Sequence, residues 1–304
     1  MKPQMTKAYI ALTIGVLSVS ASAIFVKLAG APSSITAFYR LFFSILIMFP
    51  LVFVKYKNEL KRINRREWLF SIIAGVFLAL HFVLWFESLR FTSIASSVVL
   101  VTMQPLFAFI GTYLFFQERF SLKTILSGTL AISGSVIISW GDFRISGLAL
   151  WGDILALVAC LLVTIYLLFG QHVRKQLSLI TYTFIVYSVS TITLFIYAVL
   201  SGDSFFEYEN EQWFYFVLLA IVPTLLGHTL FNYSLKWIST SIISVAILFE
   251  PIGASVLAYY VFHELPLIHQ IFGGLIVIVG ICLFLLFKRK ETVKKDKKRP
   301  SDLH

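Results

Sequence analysis

Charge is scarce in this sequence. Only 13% of its 304 residues are Asp, Glu, Lys or Arg, against roughly 25% in a soluble domain whose surface faces water. A water-facing globule of this length is therefore excluded. Cysteine is almost absent as well: Cys160 and Cys282 both fall inside apolar stretches, too few for a disulfide framework. The chain has no G-x-x-x-x-G-K-S/T phosphate loop, no H-E-x-x-H metal motif and no G-x-S-x-G nucleophile elbow. Direct ATP coupling and the common intramembrane or hydrolytic centres are disfavoured accordingly, and no cofactor, metal ligand set or catalytic residue is expected. Short strands alternating apolar and polar residues are missing too, which argues against a transmembrane barrel.

What fills the sequence instead is apolar residue, 59% of the chain. It comes in runs of about 20, the length that crosses roughly 30 Å of hydrocarbon as a helix. Backbone groups inside a bilayer must be satisfied within their own segment, so the runs predict helices. The expected class is an all-α membrane protein with ten spans: 8–28, 34–54, 68–88, 94–116, 123–140, 148–170, 180–200, 213–234, 240–262 and 268–287.

The net charge of +10 would suggest a nucleic-acid partner in a soluble protein, but its placement points to lipid. Of the 25 Lys and Arg, only Lys27, Arg40, Arg90 and Arg144 fall outside the N-terminus, the alternate loops sharing its side, and the C-terminal tail. By the excess of positive charge on cytoplasmic loops, both termini are expected in the cytoplasm of a multi-pass cell-membrane protein. The acidic loop Ser201–Gln212 then lies outside. The first span resembles a signal peptide, with Ala21-Ser22-Ala23 like a cleavage site. Retention is expected, because cleavage would leave nine spans and break the repeat described next.

Shifting Ser88–Gly134 by 146 positions lays it on Ser234–Gly280 without a gap, with 13 of 47 positions identical. The matches include Pro105/Pro251, Tyr113/Tyr259, Glu118/Glu264, Gly128/Gly274 and Gly134/Gly280. Apolar composition does not match proline, glutamate and glycine at one offset by accident. The expected organisation is a five-helix repeat over 1–143, a second over 144–287, and a basic, unordered tail over 288–304. Because five is odd, the second repeat enters the membrane from the opposite side. Inverted repeats of this kind are a recurring transporter design, with the site at the midplane between halves.

The run Leu80-His81-Phe82 through Trp85, Ser88-Leu89 and Thr92-Ser93-Ile94-Ala95-Ser96-Ser97 continues into Pro105 and ends at Glu118. Ser234-Leu235, Glu250-Pro251 and Glu264 echo it, and Phe38-Tyr39-Arg40 stands in the second span. These residues resemble the EamA-type members of the drug/metabolite transporter superfamily over residues 8–287. The resemblance implies a ten-helix, 5+5 inverted-repeat fold in the cytoplasmic membrane, often exporting amino acids or related small metabolites. An exchanger of phosphorylated or nucleotide-linked sugars is the alternative; it would need several cations along the cavity, for which Lys27 and Arg40 are the candidates. An intramembrane enzyme or a non-transporting receptor stands further off.

Ionisable groups in spans are costly, about 2.5–3.5 kcal/mol at a helix centre, so those present should face the bundle interior. Glu250 precedes Pro251 in mid-span, where proline opens the local backbone ladder; it serves either a site or the kink. Gln104 is its repeat equivalent. His228, with Thr224 and Asn232 four residues to either side, makes a polar stripe. His81 with Phe77 and Trp85 makes an aromatic one, suited to a flat or cationic ligand. The two stripes lie on repeat-related helices and would face each other across one cavity for a small-molecule substrate. Proton coupling, if present, would run through His81, His228 or Glu250. Arg40, a full turn or more inside its span, reads either as a contact for a carboxylate or phosphate or as a snorkelling anchor, whereas Lys27, which ends its helix, reads as an interfacial anchor. Glu118 and Glu264, at helix ends and repeated faithfully, read as capping or packing residues rather than ligand contacts. Ser127, Ala131, Ser135, Gly273 and Gly280 allow close helix approach, within the fold or across a dimer face.

Overall fold

A computed structural model of the chain describes residues 3–138, 140, 147–263, 265 and 267–297. Each apolar run winds into a helix: α1 (Pro3–Ala29), α2 (Ser33–Leu60), α3 (Arg65–Phe91), α4 (Ile94–Phe116), α5 (Leu122–Ile138), α6 (Gly147–Val173), α7 (Leu179–Ser201), α8 (Asn210–Ser234), α9 (Thr240–Phe262) and α10 (Ile268–Lys297). Among the described residues there is no strand. Nine of these helices are long and apolar enough to cross a membrane. The remaining one, α5, has 17 residues, about 25 Å of rise and the lower end of what spans. Helix α10 runs past the expected end of its span: 288–297, read from sequence as the start of a tail, continues it. Arg144, Glu264 and 298–304 lie outside the described residues.

Side-chain caps fix the helix starts. Asn64 Oδ1 accepts from the amides of Arg66 and Glu67, each at 3.0 Å, and Ser93 Oγ accepts from the Ser96 amide at 3.0 Å. Several caps come from another helix. Glu59, at the end of α2, accepts from the Ser178 amide at 2.7 Å and the Thr181 hydroxyl at 2.6 Å, which begin α7. Asp203, just past α7, accepts in turn from Ser34 at the start of α2. Asp153 of α6 takes the hydroxyls of Thr92 and Ser96, each at 2.9 Å, where α4 starts. Each acid lies at the level where the chain turns, so a charge near the membrane surface satisfies groups that lipid could not.

Four helices are irregular near their middles. The helix is interrupted at Ser20-Ala21 in α1, at Met103 in α4 and at Leu248-Phe249 in α9. The last two breaks directly precede Gln104-Pro105 and Glu250-Pro251, where the missing proline N–H makes a new helix start the cheapest continuation. In α8, Pro223 lies in a π-type stretch over Ala220–His228, and the Thr224 hydroxyl donates to the Leu219 carbonyl at 2.8 Å. A widened turn of this sort re-aims side chains and recurs at functional sites.

The packing has a two-fold pattern. Helix α3 lies on α6 as α1 lies on α8; α7 lies on α3 as α2 lies on α8; α4 lies on α6 as α9 lies on α1. Three pairs map onto themselves, α2 with α7, α4 with α9 and α5 with α10. Exchanging each helix with the one five places on therefore preserves the principal contacts. The glycine-rich seam is internal to this arrangement. A β-carbon on Gly134 would meet the Val277 amide at 2.7 Å, and one on Gly280 would meet the Ala131 amide at 2.5 Å. These residues bring α5 and α10 into backbone contact, so the small-residue stripe is used in packing the two halves together.

Candidate functional site: a polar cavity at the crossing of the broken helices

Arg40 is the largest side chain in the interior with no exposure. It projects from α2 about two turns in from Ser33 and is wholly enclosed by the surrounding helices. Its Nε donates to Thr224 Oγ1 at 2.7 Å and its Nη1 to Ser22 Oγ at 2.9 Å. The Phe82 ring lies beneath it, 4.1 Å from centroid to guanidinium carbon, and Phe86 lies 5.8 Å away. A desolvated cation–π contact of this kind contributes about 2 kcal/mol. The remaining nitrogen, Nη2, is buried and has no hydrogen-bond partner.

That free donor faces a small cavity lined by Ser22, Arg40, His81, Trp85, Gln104, His228 and Glu250 among apolar residues of α1, α4, α6, α8 and α9. The enclosed space is about 20 Å³, room for one water. Trp85 Nε1, Gln104 Oε1 and His228 Nδ1 are buried around it, also without partners. Glu250 is 6% exposed. Its carboxyl stands at the first turn of the second half of α9, where the helix N-terminus favours negative charge.

The aromatic wall is fixed from behind. His81 Nδ1 meets the Ala159 carbonyl at 2.9 Å. A carbonyl can only accept, so Nδ1 carries the proton and Nε2 remains an acceptor in the neutral ring. The rings of His81 and Trp85 are stacked, 5.8 Å apart at 18°. His228 closes on them from the other half, its ring 6.4 Å from His81 and 5.4 Å from Phe82.

Of the eight residues singled out by sequence, six line the cavity: Arg40, His81, Trp85, Gln104, His228 and Glu250. Thr224 stands behind Arg40 and fixes its angle. Asn232 lies one turn beyond His228, outside the cavity lining; its Nδ2 donates to Tyr166 Oη and, at 2.8 Å, to the His228 carbonyl. Phe77 is packed against the core and does not line the cavity. Sequence reasoning missed Ser22, Phe82 and the α6 wall of Val163 and Leu167. Ser22 had a signal, a hydroxyl deep in an apolar run; the α6 residues had none, because an apolar residue facing a cavity reads like one facing lipid.

A second, larger cavity of about 500 Å³ opens between α1, α4, α9 and α10, lined by Lys27, Ser93, Val98, Pro251, Ser255, Ala258 and Gln270 among others. It lies toward the end of the bundle opposite residue 3, and Val98 and Pro251 bring it next to the central site. The Lys27 ammonium lies there 4.6 Å from the Phe262 ring centroid. Among the described residues no group of three or more His, Cys, Asp or Glu is placed to hold a metal ion.

Comparison with known proteins agrees with this arrangement. The model of the EamA-like transporter family matches residues 6–140 and again residues 150–286. An uncharacterized transporter of Archaeoglobus fulgidus is 23% identical over 273 residues, covering 90% of this chain and 94% of its own. The uncharacterized transporter YxxF of Bacillus subtilis is 25% identical over 234 residues, covering 76% and 74%. A solved structure titled only as a crystal structure of a protein superposes with a TM-score of 0.78 at 14% identity, covering 93% of this chain and 99% of its own. At that identity the likeness is one of fold.

Proposed function

The chain belongs to the EamA-like transporter family, and from that premise we propose that it is a secondary transporter that exports amino acids or related small metabolites by alternating access. Its two halves, 1–143 and 144–287, are inverted copies that rock about the central cavity, with both termini cytoplasmic in the cell membrane.

The observation that carries this reading is the convergence of unpartnered groups on one point. Two donors, Arg40 Nη2 and Trp85 Nε1, one acceptor, Gln104 Oε1, and a ring nitrogen able to serve as either, His228 Nδ1, are buried beside the Glu250 carboxyl. Leaving a buried polar atom unsatisfied costs about 1–3 kcal/mol, and a stable scaffold would replace such groups with apolar ones. Once the halves part and widen this cavity, now of one-water size, a ligand carrying both an anionic and a cationic end would satisfy them, its carboxylate on Arg40 and Trp85 and its ammonium toward Gln104 and Glu250. A single guanidinium lines the central cavity, while Lys27 lines the outer one. That distribution favours one carboxylate over the multiple charges of a phosphorylated or nucleotide-linked sugar.

Protonation of Glu250 supplies a coupling step. An ammonium ligand and a proton would compete for the same carboxylate, so one leaves as the other arrives. The test is counterflow in proteoliposomes against a panel of amino acids, with and without a pH gradient. Exchange of at least one zwitterionic substrate is expected; folded protein that exchanges none of the panel overturns the reading.

A further inference from the structure

We infer that a carboxylate clamp centred on Glu118 holds the central pathway shut at the end of the bundle where residue 3 begins, and that it biases the resting protein toward the state open at the other end. This rests on the alternating-access reading above. Glu118 follows α4, in the first half. Its Oε1 accepts from Ser239 Oγ at 3.1 Å, its Oε2 from Ser241 Oγ at 2.8 Å, and the Lys288 ammonium lies 2.9 Å from Oε1. All three partners belong to the second half, at the start of α9 and the end of α10.

A second acid extends the clamp. Lys288 also lies 3.7 Å from Glu291, which accepts from the Ser121 amide at 3.0 Å and from the Thr124 hydroxyl at the start of α5. The Phe120 ring covers the ammonium at 4.1 Å. Lys288 is 8% exposed, so these charge-assisted bonds are sheltered from water and correspondingly strong.

The clamp joins α4 to α9, one of the three pairs that map onto themselves when the two halves are exchanged. Toward the opposite end, the same two helices line the cavity of about 500 Å³ together with Lys27 and Gln270. Closure at one end and opening at the other is what rocking about the central cavity produces. The repeat does not reproduce the clamp's composition: the positions equivalent to Ser241 and Lys288 are Ala95 and Asp142. The source of the bias is the clamp itself, whose bonds to Ser239, Ser241 and Lys288 must break before this end opens.

The experiment is cysteine accessibility in the full chain, with Cys160 and Cys282 replaced by serine. Leu167→Cys reports on the central cavity wall and Ala258→Cys on the open cavity. A membrane-impermeant maleimide is applied from either face of sealed vesicles. In the otherwise unchanged chain, Ala258→Cys should react from the far face and Leu167→Cys should be protected from the clamp face. Adding Glu118→Ala should raise clamp-face labelling of Leu167→Cys at least fivefold and lower labelling of Ala258→Cys. Ser241→Ala should shift both in the same direction by a smaller factor.

Unchanged labelling in both clamp variants, in protein with the parent's elution profile, overturns the clamp. If Glu118→Ala does not fold, Ser241→Ala and Lys288→Met decide alone. Labelling requires no substrate, so the two readings fail separately. Shifted labelling without counterflow would sink the transport reading and keep the clamp; counterflow with unshifted labelling would do the reverse.

Discussion

Gln117 and His263 stand 146 positions apart and, among the described residues, are the two that hold a left-handed backbone without being glycine, at φ 52° and 56°. Each caps the end of a helix broken at a proline, α4 or α9. Such a conformation costs a residue with a β-carbon about 1–2 kcal/mol. Bearing that cost at the same repeat position in both halves marks the helix ends as copies of one device.

Gln117→Val should lower stability by about 1–2 kcal/mol, because a β-branched side chain fits the left-handed region worst. Gln117→Gly should hold or raise it, since glycine is the usual residue at this cap. Thermal unfolding in detergent, read as the shift in apparent Tm of each variant, checks the order. A valine variant as stable as the parent would refute it.

Arg40→Lys should reduce transport at least tenfold while leaving membrane insertion intact. Lysine keeps the charge but cannot donate to Thr224 and Ser22 together while offering a third donor to the cavity. Thr224→Val should give part of the same loss, by leaving Nε unpartnered at a cost of about 1–3 kcal/mol. Substrate titrations of initial rate distinguish a higher KM from a lower maximal rate.

His81→Asn should retain most activity and His81→Leu should lose it. Asparagine can still present a donor toward the Ala159 carbonyl, whereas leucine offers none. If both variants transport equally well, the ring has only a packing role.

Glu250→Gln should uncouple transport from the pH gradient. The amide keeps the size and the polar contact but cannot exchange a proton, so counterflow should persist while gradient-driven uptake falls to background. The informative comparison is the ratio of the two rates, which insertion defects do not change. Gradient-driven uptake at the parent rate would return Glu250 to the role of stabilising the break at Pro251.

Gly280→Ala should destabilise the fold by about 1–3 kcal/mol, because its β-carbon would lie 2.5 Å from the Ala131 backbone nitrogen and force α5 and α10 apart. Gly147→Ala, whose β-carbon meets nothing within 4 Å, is the control. Equal yields and unfolding temperatures for the two would contradict the packing described.

Much of the architecture was legible without coordinates. Apolar run length dictates helices because lipid offers the backbone no hydrogen bonds, and a constant offset of 146 exposes the duplication. Arg40, His228 and Glu250 could be singled out because an ionisable side chain in an apolar run is too costly to be incidental. Helical spacing also placed Thr224, His228 and Asn232 on one face, yet could not say that the cavity ends at His228 and that Asn232 serves Tyr166. Nor could it show that Glu118 reaches Ser239, Ser241 and Lys288 rather than capping its own helix. Periodicity within a segment fixes which residues share a face. Which face meets which is set by the crossing of helices far apart in the chain, and that decided the partners of Arg40, the α6 wall of the cavity and the partners of Glu118.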